Sequence, residues 1–353
     1  MATRRTYRIA VLPGDGIGEE VVREGLKVLD VLAARYEFTL EKTHYPFGAE
    51  HYLKTKEMLP PSALDEFRKQ HAVYFGAIGD PRIETGMLER AIIAGMRFEL
   101  DLYVNLRPIK LYAEHLCPLK DKAPADVDMV FVRENTEDAY TGLGGIFKKG
   151  TPDEVAMAVM MYTRKGCERA IRYAFELARK RPRKQLTLID KANAVRAQDI
   201  WTRTFEEVAR EYRDIKTDHA YIDAACMWMV KNPESFDVAV TPNIFGDIIT
   251  DLGAMIQGGM GIAASGNIHP GKTSMFEPIH GSAPKYKGQN VANPLAAINA
   301  AGMMLDFLGE TEAAAQLDRA IGELLRTRRI RSLKTGDHST SEIGDLVARA
   351  VGG

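Results

Sequence analysis

Cysteine is scarce in this chain: Cys117, Cys167 and Cys226 are the three in 353 residues, and no two form a CxxC pair. That excludes a disulfide framework and a cysteine-ligated zinc centre, and leaves three reduced, mostly buried thiols. Charge of one sign is also lacking. Lys and Arg total 47 against 48 Asp and Glu, so no global field draws the chain to nucleic acid or to an anionic membrane. No apolar run is long enough to span a bilayer. The opening Met1-Ala-Thr-Arg-Arg-Thr-Tyr7 runs into an apolar segment without a signal region, so a cytoplasmic location is expected. Internal repeats and low-complexity segments are missing too, and no G-x-G-x-x-G spacing follows the first apolar run.

What is present is an ordinary globular balance, 45% apolar and 27% charged, in a chain long enough for about two domains with a substrate cleft between them. Tyr7 to Leu12 reads as a strand that stops at Pro13-Gly14-Asp15-Gly16-Ile17-Gly18, and Glu19 to Ala34 follows with helical periodicity. Val73 to Ile78, Val127 to Val132, Leu186 to Ile189 and Asp237 to Val240 read as further strands. Arg164 to Arg181, Ala197 to Tyr212, Asn243 to Ala254 and Ala313 to Leu325 read as helices. Alternation of this kind predicts a layered α/β architecture with ligands beyond the strand ends. Gly258 to Gly288 has little periodicity and reads as a binding loop.

The PGDGIG turn is compatible with phosphate at a helix N-terminus, but Asp15 would repel a pyrophosphate and a plain tight turn fits equally well. Arg97 and Arg107 flank an apolar stretch, and Arg133 follows in Val-Arg-Glu-Asn-Thr-Glu-Asp-Ala-Tyr140. Guanidinium groups suit carboxylate ligands, while surface ion pairs would explain the same residues. Asp247 and Asp251, four apart on a helix, point the same way. Like charges so placed favour a shared cation, and oxygen-only ligation suits Mg²⁺ or Mn²⁺. Asp223 sits on an otherwise apolar stretch, where an unpaired charge would be costly. Lys191, after a buried strand in Ile-Asp-Lys-Ala-Asn, is a candidate base if burial or nearby cations lower its pKa.

In family order, PGDGIG, LRP, VRENTEDAY, IDKAN, NIFGDIITDLG, EPIHGSAP and ANPLAAI make the chain resemble the metal-dependent β-decarboxylating dehydrogenases over nearly its whole length. These include 3-isopropylmalate, isocitrate, homoisocitrate, tartrate and D-malate dehydrogenases. The resemblance implies the isopropylmalate dehydrogenase-like layered α/β fold rather than a Rossmann domain. It also implies a large cofactor-binding domain, 1–98 with 252–353, around a small dimerisation and substrate domain, 99–251, whose clasp arm lies near 142–160. By resemblance, Arg97, Arg107 and Arg133 would hold substrate carboxylates, and Asp223, Asp247 and Asp251 a divalent ion. A homodimer is implied, with Lys191 and Asp223 given to the partner's site. Lys191 would take the C2 hydroxyl proton as hydride leaves for the nicotinamide, and Tyr140 would protonate the enol carbon after CO₂ departs.

The resemblance also places the adenosine loop at His280-Gly281-Ser282-Ala283-Pro284, with Asn293 beyond it. Lys285 and Tyr286 match the NADP-type pair and can donate to a 2′-phosphate, whereas Ala292 is of the NAD type, so either NAD or NADP is expected. Ile93, Ala94 and Ala194 would line an apolar pocket that suits an isopropyl group and disfavours a further carboxylate. Arg90 stands where isopropylmalate enzymes typically carry glutamate, and LDLYVNLRPIKL looks like the tartrate and D-malate branch. The substrate order is therefore 3-isopropylmalate (leucine biosynthesis), then D-malate or tartrate, then isocitrate or homoisocitrate. A regulatory-subunit paralogue is the non-enzyme alternative, although such subunits lose the tyrosine, lysine or metal aspartates that this chain keeps.

Overall fold

The structure is a computed structural model that describes residues 5–353; the reading of Met1 to Arg4 lies outside the described residues. In chain order the strands are β1 (Arg5–Gly14), β2 (Phe38–His44), β3 (Ala72–Ala77), β4 (Val104–Lys110), β5 (Asp128–Glu134), β6 (Gly144–Phe147), β7 (Val155–Ala158), β8 (Gln185–Asp190), β9 (Lys216–Tyr221), β10 (Val238–Thr241), β11 (Ala264–Ile268) and β12 (Ser274–Pro278). The helices are α1 (Gly18–Arg35), α2 (Ala49–Thr55), α3 (Pro61–Phe67), α4 (Gly95–Glu99), α5 (Arg164–Lys180), α6 (Asp199–Ala209), α7 (Ile222–Lys231), α8 (Asn243–Ile256), α9 (Leu295–Phe307), α10 (Thr311–Arg326) and α11 (Thr340–Gly352).

The chain divides into two compact units. The first comprises Met1–Leu102, Pro108–Val127 and Ala254–Gly353, and the second Tyr103–Arg107 with Asp128–Gly253. Pro108–Val127, expected from sequence to lie within 99–251, groups with the first unit. There Lys110 and Tyr112 both reach Asp318 on α10, at 2.6 and 2.8 Å.

In the first unit the strand order is β2-β1-β3-β12-β11. β1 lies parallel to β2 and β3, and β12 parallel to β3. β3 is buried along its whole length, the mark of a parallel strand covered on both faces. α1 buries Val21, Val22, Val28, Leu29 and Leu32 at helical spacing. The segment read as a structureless loop instead contains the antiparallel pair β11 and β12. Every residue of both strands is buried, so no polar alternation betrays them.

In the second unit the order is β4-β5-β10-β8-β9. β10 pairs in parallel with β5 and with β8, and its register sets Thr241 opposite Arg133. That register brings the end of β5 beside the start of α8. α5 begins with the Thr163 hydroxyl accepting the Gly166 N–H, and buries Cys167, Ala170, Ile171, Ala174, Phe175 and Ala178 in a three-and-four rhythm. β6 and β7 form a separate hairpin, exposed throughout.

Candidate active site

Arg133, the penultimate residue of β5, is one of the largest fully buried side chains in the second unit, 2% exposed. Its Nε donates to Asn243 Oδ1 at 2.8 Å, and its guanidinium pairs with Asp247. Gly246 makes room for it: a Cβ there would stand 2.5 Å from Arg133 Cγ. Arg107 is 7% exposed. Two residues along β4, Asn105 braces it on the same face, accepting from Nε at 2.8 Å, while Thr250 accepts from Nη1 at 2.7 Å. The same guanidinium lies 3.5 Å from both Asp247 and Asp251. Surface ion pairing therefore does not account for these two arginines. A buried guanidinium is costly unless its donors are matched, and here the neighbouring amides and hydroxyls hold each fork while part of it faces carboxylates.

Asp247 and Asp251 lie one turn apart on α8, as their spacing predicts. Burial pushes the Asp251 carboxyl above its ordinary range; Arg107 pulls against this, and the charge of Asp247 adds to it. Tyr140, on the short turn Asp138–Thr141, donates its hydroxyl to Asp247 Oδ2 at 2.6 Å. One cluster thus joins Arg107, Arg133, Tyr140, Asp247 and Asp251.

Lys191 and Asp223 form a pair of their own, Nζ to Oδ1 at 2.6 Å. The ammonium holds the Asp223 carboxyl below its usual range. Asp223 was expected on an apolar stretch, but it stands at the exposed start of α7, and its charge is solvated as well as paired. Among the described residues, no three His, Cys, Asp or Glu side chains come together as a metal centre. Ala194 is exposed.

In the first unit Arg97, on α4, pairs with Glu277 at 3.2 Å and leaves its buried Nε without a partner. Glu277 also accepts from Asn267 at 2.7 Å. Ile93 and Ala94 close the π-helical turn Glu89–Ala94 and are half-buried, Ile93 packing on the core.

The PGDGIG turn is an internal clamp. Asp15 accepts the Ala49 N–H at 2.7 Å and the Gly79 N–H at 3.0 Å. Gly16, at φ +59°, lets the turn press against Ser282, whose carbonyl accepts the Ile17 N–H at 2.8 Å. The turn thereby supports the loop of His280, Gly281, Ser282, Ala283 and Pro284. In that loop His280 Nε2 is buried without a partner, and burial pushes the imidazole pKa down. Asn293 caps the Leu295 N–H at 2.9 Å and leaves Nδ2 buried and unpartnered. Lys285 is exposed, its Nζ 4.7 Å from the centre of the Tyr286 ring.

The bracing roles of Asn105, Asn243, Thr250 and Glu277 were not read from sequence, although each lies in a quoted motif, and Asp15 was read there only as a charge that would repel a pyrophosphate.

The chain is similar to known proteins along nearly its whole length. The isocitrate/isopropylmalate dehydrogenase family model matches residues 8–347. A 3-isopropylmalate dehydrogenase of Thermobifida fusca (strain YX) is 48% identical over 350 residues, covering 98% of each chain. One of Nocardia farcinica (strain IFM 10152) is 50% identical over 347 residues, 98% of this chain and 100% of that one. Among solved structures, isocitrate dehydrogenase from Methylococcus capsulatus superposes with TM-score 0.87 at 34% identity, covering 98% of this chain and 100% of its own. In class, then, the protein is an oxidative decarboxylating dehydrogenase on an α/β scaffold. It belongs to the isocitrate/isopropylmalate dehydrogenase family.

Proposed function

We propose that the chain oxidises and decarboxylates 3-isopropylmalate, using NAD or NADP and Mg²⁺ or Mn²⁺, as a homodimer with shared active sites. The observation that carries this reading is the cluster in which two buried guanidiniums, two carboxylates and a phenol meet within one unit. Two guanidiniums offer charge-assisted hydrogen bonds to a small di-acid.

The donor set suits a divalent ion: Asp247 and Asp251 supply oxygen only, and the raised Asp251 pKa marks a charge that a cation would relieve. One chain brings two carboxylates to this cluster, which supports a third, Asp223, arriving from a second copy. Met227 and Trp228 on α7 and Ile248 on α8, at 71%, 42% and 60% exposure, are large apolar side chains left open to a partner. The hairpin of β6 and β7 exposes Ile146, Phe147 and Met157 in the same way, as a clasp arm would. The orphaned His280 Nε2 and Asn293 Nδ2 fit a nucleotide's polar groups.

Arg107 and Arg133 would hold the carboxylates, and Arg97 is the further guanidinium assigned to the same anion. Lys191 would take the C2 hydroxyl proton, and Tyr140 would later return a proton to the carbon that loses CO₂. A divalent cation held by the aspartates would supply Lewis-acid polarisation of the C2 oxygen, and a bound nicotinamide nucleotide would supply the hydride acceptor. The names of the relatives support the isopropyl substrate.

The test is a panel of 3-isopropylmalate, D-malate, tartrate and isocitrate with Mn²⁺ and each nucleotide. The expected result is the highest kcat/KM for 3-isopropylmalate; preference for isocitrate or D-malate would overturn the substrate assignment.

A further inference from the structure

Gln198 and Tyr162 take no part in the reaction above, yet they lie on a polar path that joins its two proton carriers. The Lys191 backbone N–H donates to Gln198 Oε1 at 2.6 Å. An N–H can only donate, so the amide must present oxygen to it and turn its NH₂ away. That Nε2 donates to Tyr162 Oη at 2.8 Å, and Tyr162 Oη in turn donates to Asp138 Oδ1 at 2.8 Å. The direction of every bond in the chain follows from the first.

Asp138 ends the path at two functional elements. Its Oδ2 accepts the Ile244 N–H at 3.0 Å, in the first turn of α8, three residues before Asp247. Asp138 also opens the turn that carries Tyr140, and its own N–H donates to Met161 O at 2.8 Å, at the root of the β6–β7 hairpin. Asp138 holds a left-handed backbone, φ +71°, which these contacts pin in place. Gln198 and Asp138 are fully buried, so breaking one link strands polar groups that water cannot reach.

We propose that Asp138, Tyr162 and Gln198 form a positioning network that fixes the Lys191 backbone relative to the Tyr140 turn and the start of α8. The proposal rests on the reading of Lys191 and Tyr140 as proton carriers. If Lys191 serves the partner's site, the network ties a residue of one active site to residues of the other.

The test is Tyr162→Phe, which removes one hydroxyl and keeps the ring, with Gln198→Leu as a second break in the same path. Each is expected to lower kcat about ten-fold or more while KM for the hydroxy acid stays within about two-fold, because Arg107 and Arg133 lie outside the path. A double-mutant cycle separates positioning from mere support. The Tyr162→Phe loss is expected to be clearly smaller when Lys191 is already alanine, since part of it acts through that side chain. An equal loss in both backgrounds, or wild-type kcat in Tyr162→Phe and Gln198→Leu, would overturn the proposal. Full activity in Lys191→Ala would overturn it together with the catalytic reading beneath it, and is distinguishable because it needs no Tyr162 variant.

Discussion

The Tyr140 hydroxyl donates to Asp247 Oδ2 at 2.6 Å while the Tyr140 ring lies 5.3 Å from the Arg133 guanidinium carbon. A phenol proton is thus held against a carboxylate, beside the cation assigned to substrate. The short turn after β5 supplies the phenol and α8 supplies the carboxylate.

Replacing Tyr140 by Phe keeps the ring and removes the transferable proton. Turnover by oxidative decarboxylation is expected to fall by about 10²–10⁴, the usual worth of a placed acid, with a much smaller change in substrate KM. Steady-state kinetics of Tyr140→Phe checks this; near-normal kcat would remove Tyr140 from the mechanism.

Gly16 is required by geometry. A Cβ there would sit 2.0 Å from the Ser282 carbonyl oxygen, at a φ that side chains disfavour. Gly16→Ala is therefore expected to displace the 280–284 loop, raising KM for the nucleotide about ten-fold and lowering stability by about 1–3 kcal/mol. Nucleotide titrations and denaturant unfolding measure the two effects.

Glu134 gives a pH dependence. Burial pushes its carboxyl from 4.5 up to about 7, against three donors from Thr136 and Glu137. The folded chain therefore binds this proton more tightly than the unfolded one. Its contribution favours folding at low pH, is lost progressively as pH rises from about 4.5 to 7, and is constant above that. The difference is about 3 kcal/mol. Glu134→Gln should flatten the slope of unfolding free energy over this window, as read by urea titrations at a series of pH values.

The exposed apolar side chains of α7 and α8 predict the assembly. The wild-type chain should elute at twice 39.2 kDa, and Trp228→Lys should shift it towards the monomer with loss of turnover. Mixing the severely impaired Lys191→Ala with the severely impaired Tyr140→Phe should restore about a quarter of wild-type activity, because random exchange makes half the dimers mixed, each with one intact site. No restoration would place Lys191 and Tyr140 in the same chain's site.

Much of this was legible in sequence because spacing alone carried it. Asp247 and Asp251 share a helix face by their separation, and Arg133 ends a buried apolar run. Burial of the arginines was not legible, since it depends on the register that sets Thr241 beside Arg133 and on Gly246 yielding its volume. β11 and β12 were missed because strands covered on both faces lose the alternation that marks a strand. The path from Lys191 through Gln198 and Tyr162 to Asp138 joins residues 36 and 24 positions apart, and only the fold brings them together.

The central claim is that the aspartates of α8 and the arginines beside them serve a metal-dependent oxidation coupled to decarboxylation. The most direct test measures CO₂ released per nucleotide reduced with 3-isopropylmalate, before and after chelation and in Asp251→Asn. The account predicts one CO₂ per reduced nucleotide, abolished by chelation, restored by Mn²⁺, and severely impaired in Asp251→Asn at any Mn²⁺ concentration. Nucleotide reduction without CO₂, or turnover indifferent to chelation, would contradict it.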